Sequence, residues 1–272
     1  MRLAVLGSPI AHSLSPALHR AAYDVLGLDW DYEAIEVTTE SLRDFVTSRD
    51  ETWRGLSLTM PLKRDILPLL GSVSEVVRQT GSANTVLFSN GRTSGFNTDV
   101  YGITEAFARH GHSSLGAVLV LGGGATASSA IVAATMLEAT RVFVAVRSPE
   151  RAQDLIDIGR ARGVDVFVRR LEDVDQIDER LGAVISTLPN GAAVSVDFDP
   201  DTIERAVLFD VAYHPWPSPL ASAWSGDSVI SGLEMLVLQA LAQVRIFVNS
   251  HPHGTLDRED EVLAAMLAAA GL

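Results

Sequence analysis

The feature that most restricts the fold of this chain is a glycine-rich turn set between a buried strand and a helix. Residues 117–121 form an uninterrupted apolar run, Gly122-Gly123-Gly124-Ala125-Thr126-Ala127 follows at once, and residues 125–137 read as a helix. The turn has the pattern G-x-G-x-x-A. Gly122 permits the tight bend, Gly124 lets backbone approach a pyrophosphate, and Ala127 lets the helix lie close on the strand. Backbone N–H groups at the helix start then face the phosphates, and the helix dipole adds to the attraction. All six positions, Gly122, Gly123, Gly124, Ala125, Thr126 and Ala127, are therefore candidate cofactor contacts. A plain strand–helix connection is the competing reading of the same residues.

The second strand after such a turn selects the cofactor. An NAD site usually carries an acid at its end to hold the ribose 2′-hydroxyl. Here the strand over 142–146 runs into Arg147-Ser148, with Arg151 shortly beyond, and the nearest earlier acid, Glu138, precedes the strand. Guanidinium groups grip a 2′-phosphate through charge-assisted, often bidentate hydrogen bonds. Arg147, Ser148 and Arg151 therefore point to NADP rather than NAD, with ordinary solvated helix-terminus arginines as the competing reading.

Strands and helices alternate on either side of this unit. Strands are expected at 164–168, 183–186 and 207–211 and a helix at 149–158, a rhythm that gives a parallel sheet with right-handed crossovers. The first hundred residues are less regular. A strand at 3–6 precedes a helix opened by Ser15 as cap and Pro16 as first residue, and Gly27 ends it. Strands follow at 32–37 and 56–58, a short helix at 41–48, a helix start at Thr59-Met60-Pro61, and a hairpin folds about Ser89-Asn90-Gly91. Long apolar helices at 233–248 and 260–270 end the chain. The fold class expected is two-domain α/β: an N-terminal mixed domain (1–100 with 233–272) and a Rossmann-like domain (101–232).

Composition removes several functions. With 21 basic and 34 acidic residues the net charge is −13, which disfavours nucleic acid and anionic membrane as partners. The absence of cysteine excludes disulfides, thiolate metal sites and cysteine nucleophiles. No targeting segment is visible, so a cytoplasmic location is expected. His110-x-His112 and His251-x-His253 lack the acidic spacing of a metal site, and no metal is expected.

Small polar motifs mark strand ends and helix starts in the first hundred residues: Ser13-Leu14-Ser15-Pro16, Ser57-Leu58-Thr59-Met60-Pro61-Leu62-Lys63, Gly81-Ser82-Ala83-Asn84-Thr85 and Gly95-Phe96-Asn97-Thr98-Asp99. Together they supply hydroxyls, an amide, an ammonium and a carboxylate, a set suited to a small polyhydroxylated acid. Singly, Ser15, Thr59 and Asp99 also read as helix caps, and Lys63 as a surface lysine.

In this order the motifs resemble the shikimate dehydrogenase family over essentially the whole chain. The resemblance continues through the glycine turn, Arg147-Ser148, Asp210-Val211-Ala212-Tyr213, Ser218-Pro219-Leu220 and Gly232-Leu233-Glu234-Met235-Leu236 with Gln239. It implies NADPH-dependent reduction of 3-dehydroshikimate to shikimate, in a cleft between a substrate domain and a cofactor domain, by a monomer or homodimer. Carried over, Ser13 and Ser15 hold the substrate carboxylate. Thr59, Lys63, Asn84 and Asp99 hold the ring hydroxyls, Tyr213 and Gln239 close the pocket, and Val211, Gly232 and Met235 approach the nicotinamide. Lys63, with Asp99 beside it, is expected to supply the proton, since a reduced ketone leaves an alkoxide. The family usually places Asn where Ser57 stands, a shorter side chain with one donor instead of two. That departure leaves substrate contact at Ser57 open, and with it a quinate- or aminoshikimate-directed relative. A non-catalytic dinucleotide-binding regulator is the alternative from another class.

Overall fold

The structure is a computed structural model describing residues 1–189, 196–224 and 228–272. The chain divides into two compact units, Met1–Gly102 with Leu236–Leu272, and Ile103–Met235.

The first unit contains β1 (Arg2–Gly7), α1 (Ser15–Leu26), β2 (Asp31–Glu36), α2 (Thr39–Thr47), β3 (Trp53–Leu58), α3 (Leu62–Asp65), β4 (Ser72–Val73), α4 (Glu75–Thr80), β5 (Thr85–Ser89), β6 (Arg92–Phe96) and the start of α5 (Asp99–Arg109). Its sheet runs β2-β1-β3-β5-β6-β4. β1 is parallel to β2 and β3, β5 is antiparallel to both β3 and β6, and β4 is parallel to β6. Because side chains alternate across a strand, β1 sends Leu3 and Val5 to one face and Ala4 and Leu6 to the other. The first face is covered by Leu18, Ala22 and Tyr23 of α1 and by two helices from the end of the chain, α10 (Gly232–Asn249) and α11 (Glu259–Ala270). The second packs on Leu42 and Val46 of α2, Leu62 and Val77. Each large side chain buried here contributes roughly 1.5–3 kcal/mol. α10 is long and apolar enough to cross a membrane, yet Val237, Ala240, Leu241, Val244 and Phe247 are buried in this core.

The second unit holds β7 (Gly116–Leu121), α6 (Ala125–Met136), β8 (Ala139–Val146), α7 (Gln153–Ala161), β9 (Asp165–Arg170), β10 (Leu181–Ser186), α8 (Pro200–Arg205), β11 (Val207–Asp210), α9 (Pro219–Ser222) and β12 (Val229–Ser231). The sheet order is β12-β11-β10-β7-β8-β9, with every pairing parallel. This is a doubly wound, Rossmann-like sheet whose order reverses between β7 and β10, where such sheets bind ligands at their carboxyl edge. The small residues of α6 let it pack without a polar face: Ala127 to Ala134 are all buried.

Some local expectations are corrected. α1 is entered from Leu14, and Ser15 is already helical. Ser13 Oγ accepts the Ser15 N–H at 3.3 Å, so an earlier serine meets that first donor. Pro61 lies before α3 rather than in it: the Met60–Pro61 peptide is cis, and Leu62 N–H turns back to the Thr59 carbonyl. The expected helix at 149–158 is a 3₁₀ turn, Pro149–Arg151, followed by α7, because Ala152 between them leaves helical geometry. β4, β12, α4, α8 and α9 are additional elements, short enough to carry little periodicity.

Candidate active site

The topology of the first unit gathers the polar motifs at one edge. β1 and β3 are parallel, so Ser13 and Ser15 follow the strand end that neighbours Thr59. β5 is antiparallel to β3 with Thr85 opposite Ser57, and Phe96 at the end of β6 lies opposite Thr85. Asn84, at the start of β5, and Asn97 to Asp99, past the end of β6, therefore arrive beside Ser57 to Lys63. Thr59 is tied to the edge by its N–H to the Leu6 carbonyl, and its methyl fills the space where a Gly7 side chain would stand. Ser15 is buried and Ser13 half-buried.

Lys63, Asp99, Asn84 and Gln239 form one hydrogen-bonded group. Lys63 Nζ donates to Asp99 Oδ2 at 2.6 Å, with the two side chains 15% and 4% exposed. Asn84 Nδ2 donates to the other Asp99 oxygen at 2.8 Å, to Thr98 Oγ1 at 2.9 Å and more distantly to Gln239 Oε1 at 3.3 Å. Asp99 also sends its own N–H to Asn97 Oδ1. The carboxylate is thus held from both oxygens, and the ammonium, which carries three donors, keeps protons for a substrate oxygen.

Ser57 sits differently. It is buried, its hydroxyl accepts from Tyr32 Oη at 2.6 Å, and its own proton goes to Gln243 Oε1 at 2.8 Å. Gln243 is not singled out from the sequence, and Thr85 and Thr98 appear there only within motifs, without a role of their own. The available signal was a second glutamine one helical turn after Gln239 in a largely apolar stretch of helix.

In the second unit the carboxyl edge of the sheet is mostly backbone. Gly122 has φ +107°, and a Cβ there would meet Thr187 Oγ1 at 2.6 Å. Among the described residues a Cβ on Gly124 would meet nothing within 4 Å, so none of them fills the space in front of the α6 N-terminus. No side chain caps that helix and its first turn holds no acid. The orphan N–H groups of a helix start seek an anion, and this cradle fits the pyrophosphate of a dinucleotide. Ala125 and Thr126 stand at its rim, half-buried, with Gly123 against Val146.

β8 ends at this edge, followed by Arg147, Ser148 and Arg151. Both arginines are exposed, and among the described residues neither forms an ion pair. β9 brings Arg169 and Arg170 into register with Ala145 and Val146, adding guanidinium groups that sequence reasoning did not weigh. On the other side of β7, Asp210 accepts from Ser218 Oγ and from Ala212 N–H, shaping the loop that carries Val211 and Tyr213. Burial raises the Tyr213 hydroxyl pKa above its ordinary value. Gly232 rests directly on Val211: a Cβ would lie 2.1 Å from the Val211 carbonyl oxygen. Met235 is buried one turn further along α10. Glu234 binds Arg109 at 3.0 Å and His110 at 2.9 Å.

A parallel Rossmann-like sheet with an open glycine turn, and a separate unit holding a lysine bonded to a buried aspartate–asparagine pair, define a dinucleotide-dependent oxidoreductase. The comparisons narrow this. The shikimate dehydrogenase substrate binding domain matches residues 5–86. The chain is 32% identical over 257 residues to the shikimate dehydrogenase (NADP(+)) of Ignicoccus hospitalis, covering 93% of this chain and 95% of that one. It is 35% identical over 254 residues to the enzyme of that name from Thermus thermophilus, covering 93% and 94%. Among solved structures, Mycobacterium tuberculosis shikimate dehydrogenase superposes with a TM-score of 0.86 at 35% identity, covering 98% and 99%. A Thermus thermophilus shikimate 5-dehydrogenase in complex with NADP(H) and shikimate gives 0.80 at 29% identity, covering 99% of each chain. The chain belongs to the shikimate dehydrogenase family.

Proposed function

We propose that this protein catalyses the reversible, NADPH-dependent reduction of 3-dehydroshikimate to shikimate. The observation that carries the reading is the Lys63–Asp99–Asn84 group, with its 2.6 and 2.8 Å contacts, in a chain of this family. Residues 1–100 with 233–272 serve as the substrate domain and 101–232 as the cofactor domain. The nicotinamide, when bound, supplies or accepts the hydride.

The chain's own residues do the rest. Lys63 Nζ gives a proton to the oxygen that becomes the new hydroxyl and, being charged, stabilises negative charge there. Asp99 holds Lys63 in place, and Asn84 fixes Asp99. Ser13 and Ser15 take the substrate carboxylate, Thr59 and Asn84 ring hydroxyls, and Tyr213 and Gln239 close the pocket. Ser57 meets substrate only if its hydroxyl gives up a present partner. Gly122 to Ala127 hold the pyrophosphate by backbone N–H groups, Arg147, Ser148 and Arg151 the 2′-phosphate, and Val211, Gly232 and Met235 flank the nicotinamide. The cytoplasm, where soluble metabolites and NADPH meet, is the location that suits this reaction.

The test is turnover of shikimate and quinate, each with NADP and NAD, followed by nicotinamide absorbance. Shikimate with NADP is expected to be the preferred pair. Preference for quinate with NAD, or tight NADPH binding with no turnover of 3-dehydroshikimate, overturns the proposal.

A further inference from the structure

The most extensive buried polar cluster in the first unit lies behind the candidate site. Gln243 is 2% exposed, and its amide uses all four of its hydrogen-bonding positions. Its Nε2 donates to Thr85 Oγ1 at 3.1 Å and to the Asn84 carbonyl at 3.2 Å. Its Oε1 takes the Ser57 hydroxyl at 2.8 Å and faces His19 Nε2 at 3.2 Å.

Chemistry fixes the direction of every bond. A backbone carbonyl only accepts, so the Gln243 NH₂ must face Asn84 and its oxygen must face His19 and Ser57. His19 then carries its proton on Nε2, and Nδ1 accepts from the Tyr23 hydroxyl at 3.1 Å. Burial pushes the His19 pKa down to about 3, in keeping with a neutral ring that donates on one side and accepts on the other. Tyr32 supplies the proton that Ser57 accepts.

From Gln243 the order continues to the site. Thr85 Oγ1, accepting from Gln243, passes its own proton to Asn84 Oδ1 at 2.8 Å, where the Thr98 N–H also arrives at 2.9 Å. With its oxygen doubly occupied, Asn84 has to present its NH₂ to Asp99 and Thr98. A fully satisfied buried network of this kind holds one geometry.

We infer that Gln243 is a positioning residue: acting through Thr85, and held by Ser57, Tyr32 and His19, it sets the orientation of the Asn84 amide and so the placement of Asp99 and Lys63 toward substrate. This rests on the function proposed above. Ser57 is on this account part of the positioning apparatus, with both of its present bonds turned away from ligand recognition.

The experiment compares Thr85→Val, Gln243→Leu, their double variant and Thr85→Ser. Thr85→Val keeps the shape and removes the relay hydroxyl; Thr85→Ser restores it. Each of the first two is expected to raise the KM for shikimate about tenfold with the KM for NADP unchanged, and the double variant to cost no more than either alone. Thr85→Ser should return to within about twofold of the parent. Variants that melt cooperatively yet keep the parental KM for shikimate, or whose effects add fully, overturn the inference. Tyr32→Phe, a milder cut at the far end of the relay, serves where Gln243→Leu does not fold.

Side-chain amide NMR separates this inference from the assigned reaction. The Asn84 Nδ2 protons should exchange slowly in the parent and quickly in Thr85→Val. Identical Asn84 signals in the two proteins refute the positioning role whether or not the parent turns over shikimate. Absence of turnover in a parent whose Asn84 signals respond as expected refutes only the reaction.

Discussion

In the first unit the candidate site consists of side chains that hydrogen-bond one another; in the second, the corresponding sheet edge is built from backbone and from missing side chains. Lys63, Asp99, Asn84 and Gln239 hold one another in place by hydrogen bonds, whereas Gly124 contributes by leaving space among the described residues. The two regions should fail in different ways. The first is sensitive to loss of a functional group, which leaves buried partners unsatisfied. The second is sensitive to added volume.

The largest effect is expected from Lys63→Ala, which removes the proton donor and leaves Asp99 without its cation. We expect kcat to fall roughly 10²–10⁴-fold, the usual span for a general acid, with NADPH affinity within about threefold of the parent by fluorescence titration. Parental kcat would remove Lys63 from the chemistry. Next comes Gly124→Val, whose side chain would occupy the open space before α6. NADPH binding should weaken by roughly 30-fold, about 2 kcal/mol, while the melting temperature stays put. A large loss of stability instead would show that Gly124 serves packing, as Gly232 does against Val211.

The first unit holds the strongest source of acid sensitivity, the buried His19. His19 titrates near 6.5 when unfolded and about 3 when folded, so the unfolded chain binds more protons between those values. Its contribution to stability is present above pH 6.5 and is lost as pH falls toward 3. Urea titrations should show a slope approaching about 1.4 kcal/mol per pH unit from this one residue. His19→Gln should flatten that slope; an unchanged slope assigns the acid sensitivity elsewhere. The smallest effect is expected from Arg147→Ala, a three- to tenfold loss of preference for NADPH over NADH, about 1 kcal/mol, since Arg151 and Arg170 remain nearby.

The second unit was the more legible from sequence because its site is local. Gly122 to Ala127 are contiguous, and Arg147 follows at the end of the next strand. That β7, β8 and β9 pair in parallel could be read from strand–helix alternation alone. The first unit depends on pairings distant along the chain. Ser57 meets Gln243 and Tyr32, and Asn84 meets Asp99, only through sheet register and the return of α10. Gln243 shows in the sequence only as a second glutamine one turn after Gln239, which gives no sign of which buried groups will reach it. Ser57 read as a gap where the family has Asn; the Tyr32 hydroxyl occupies part of that gap.

The return of α10 and α11 also bears on synthesis at the ribosome. Residues 103–235 form a unit continuous in sequence, complete once residue 235 has emerged. The sheet of residues 1–102, made earlier, has the face of Leu3, Val5 and Leu87 only partly covered, by Leu18, Ala22 and Tyr23 of α1, until Val237 to Met266 arrive. Gly55 is shaped for that late partner, since the Phe247 ring takes the space a side chain would need. A unit split in this way closes only after the continuous unit between its two parts has been made, and until then part of its apolar face is uncovered.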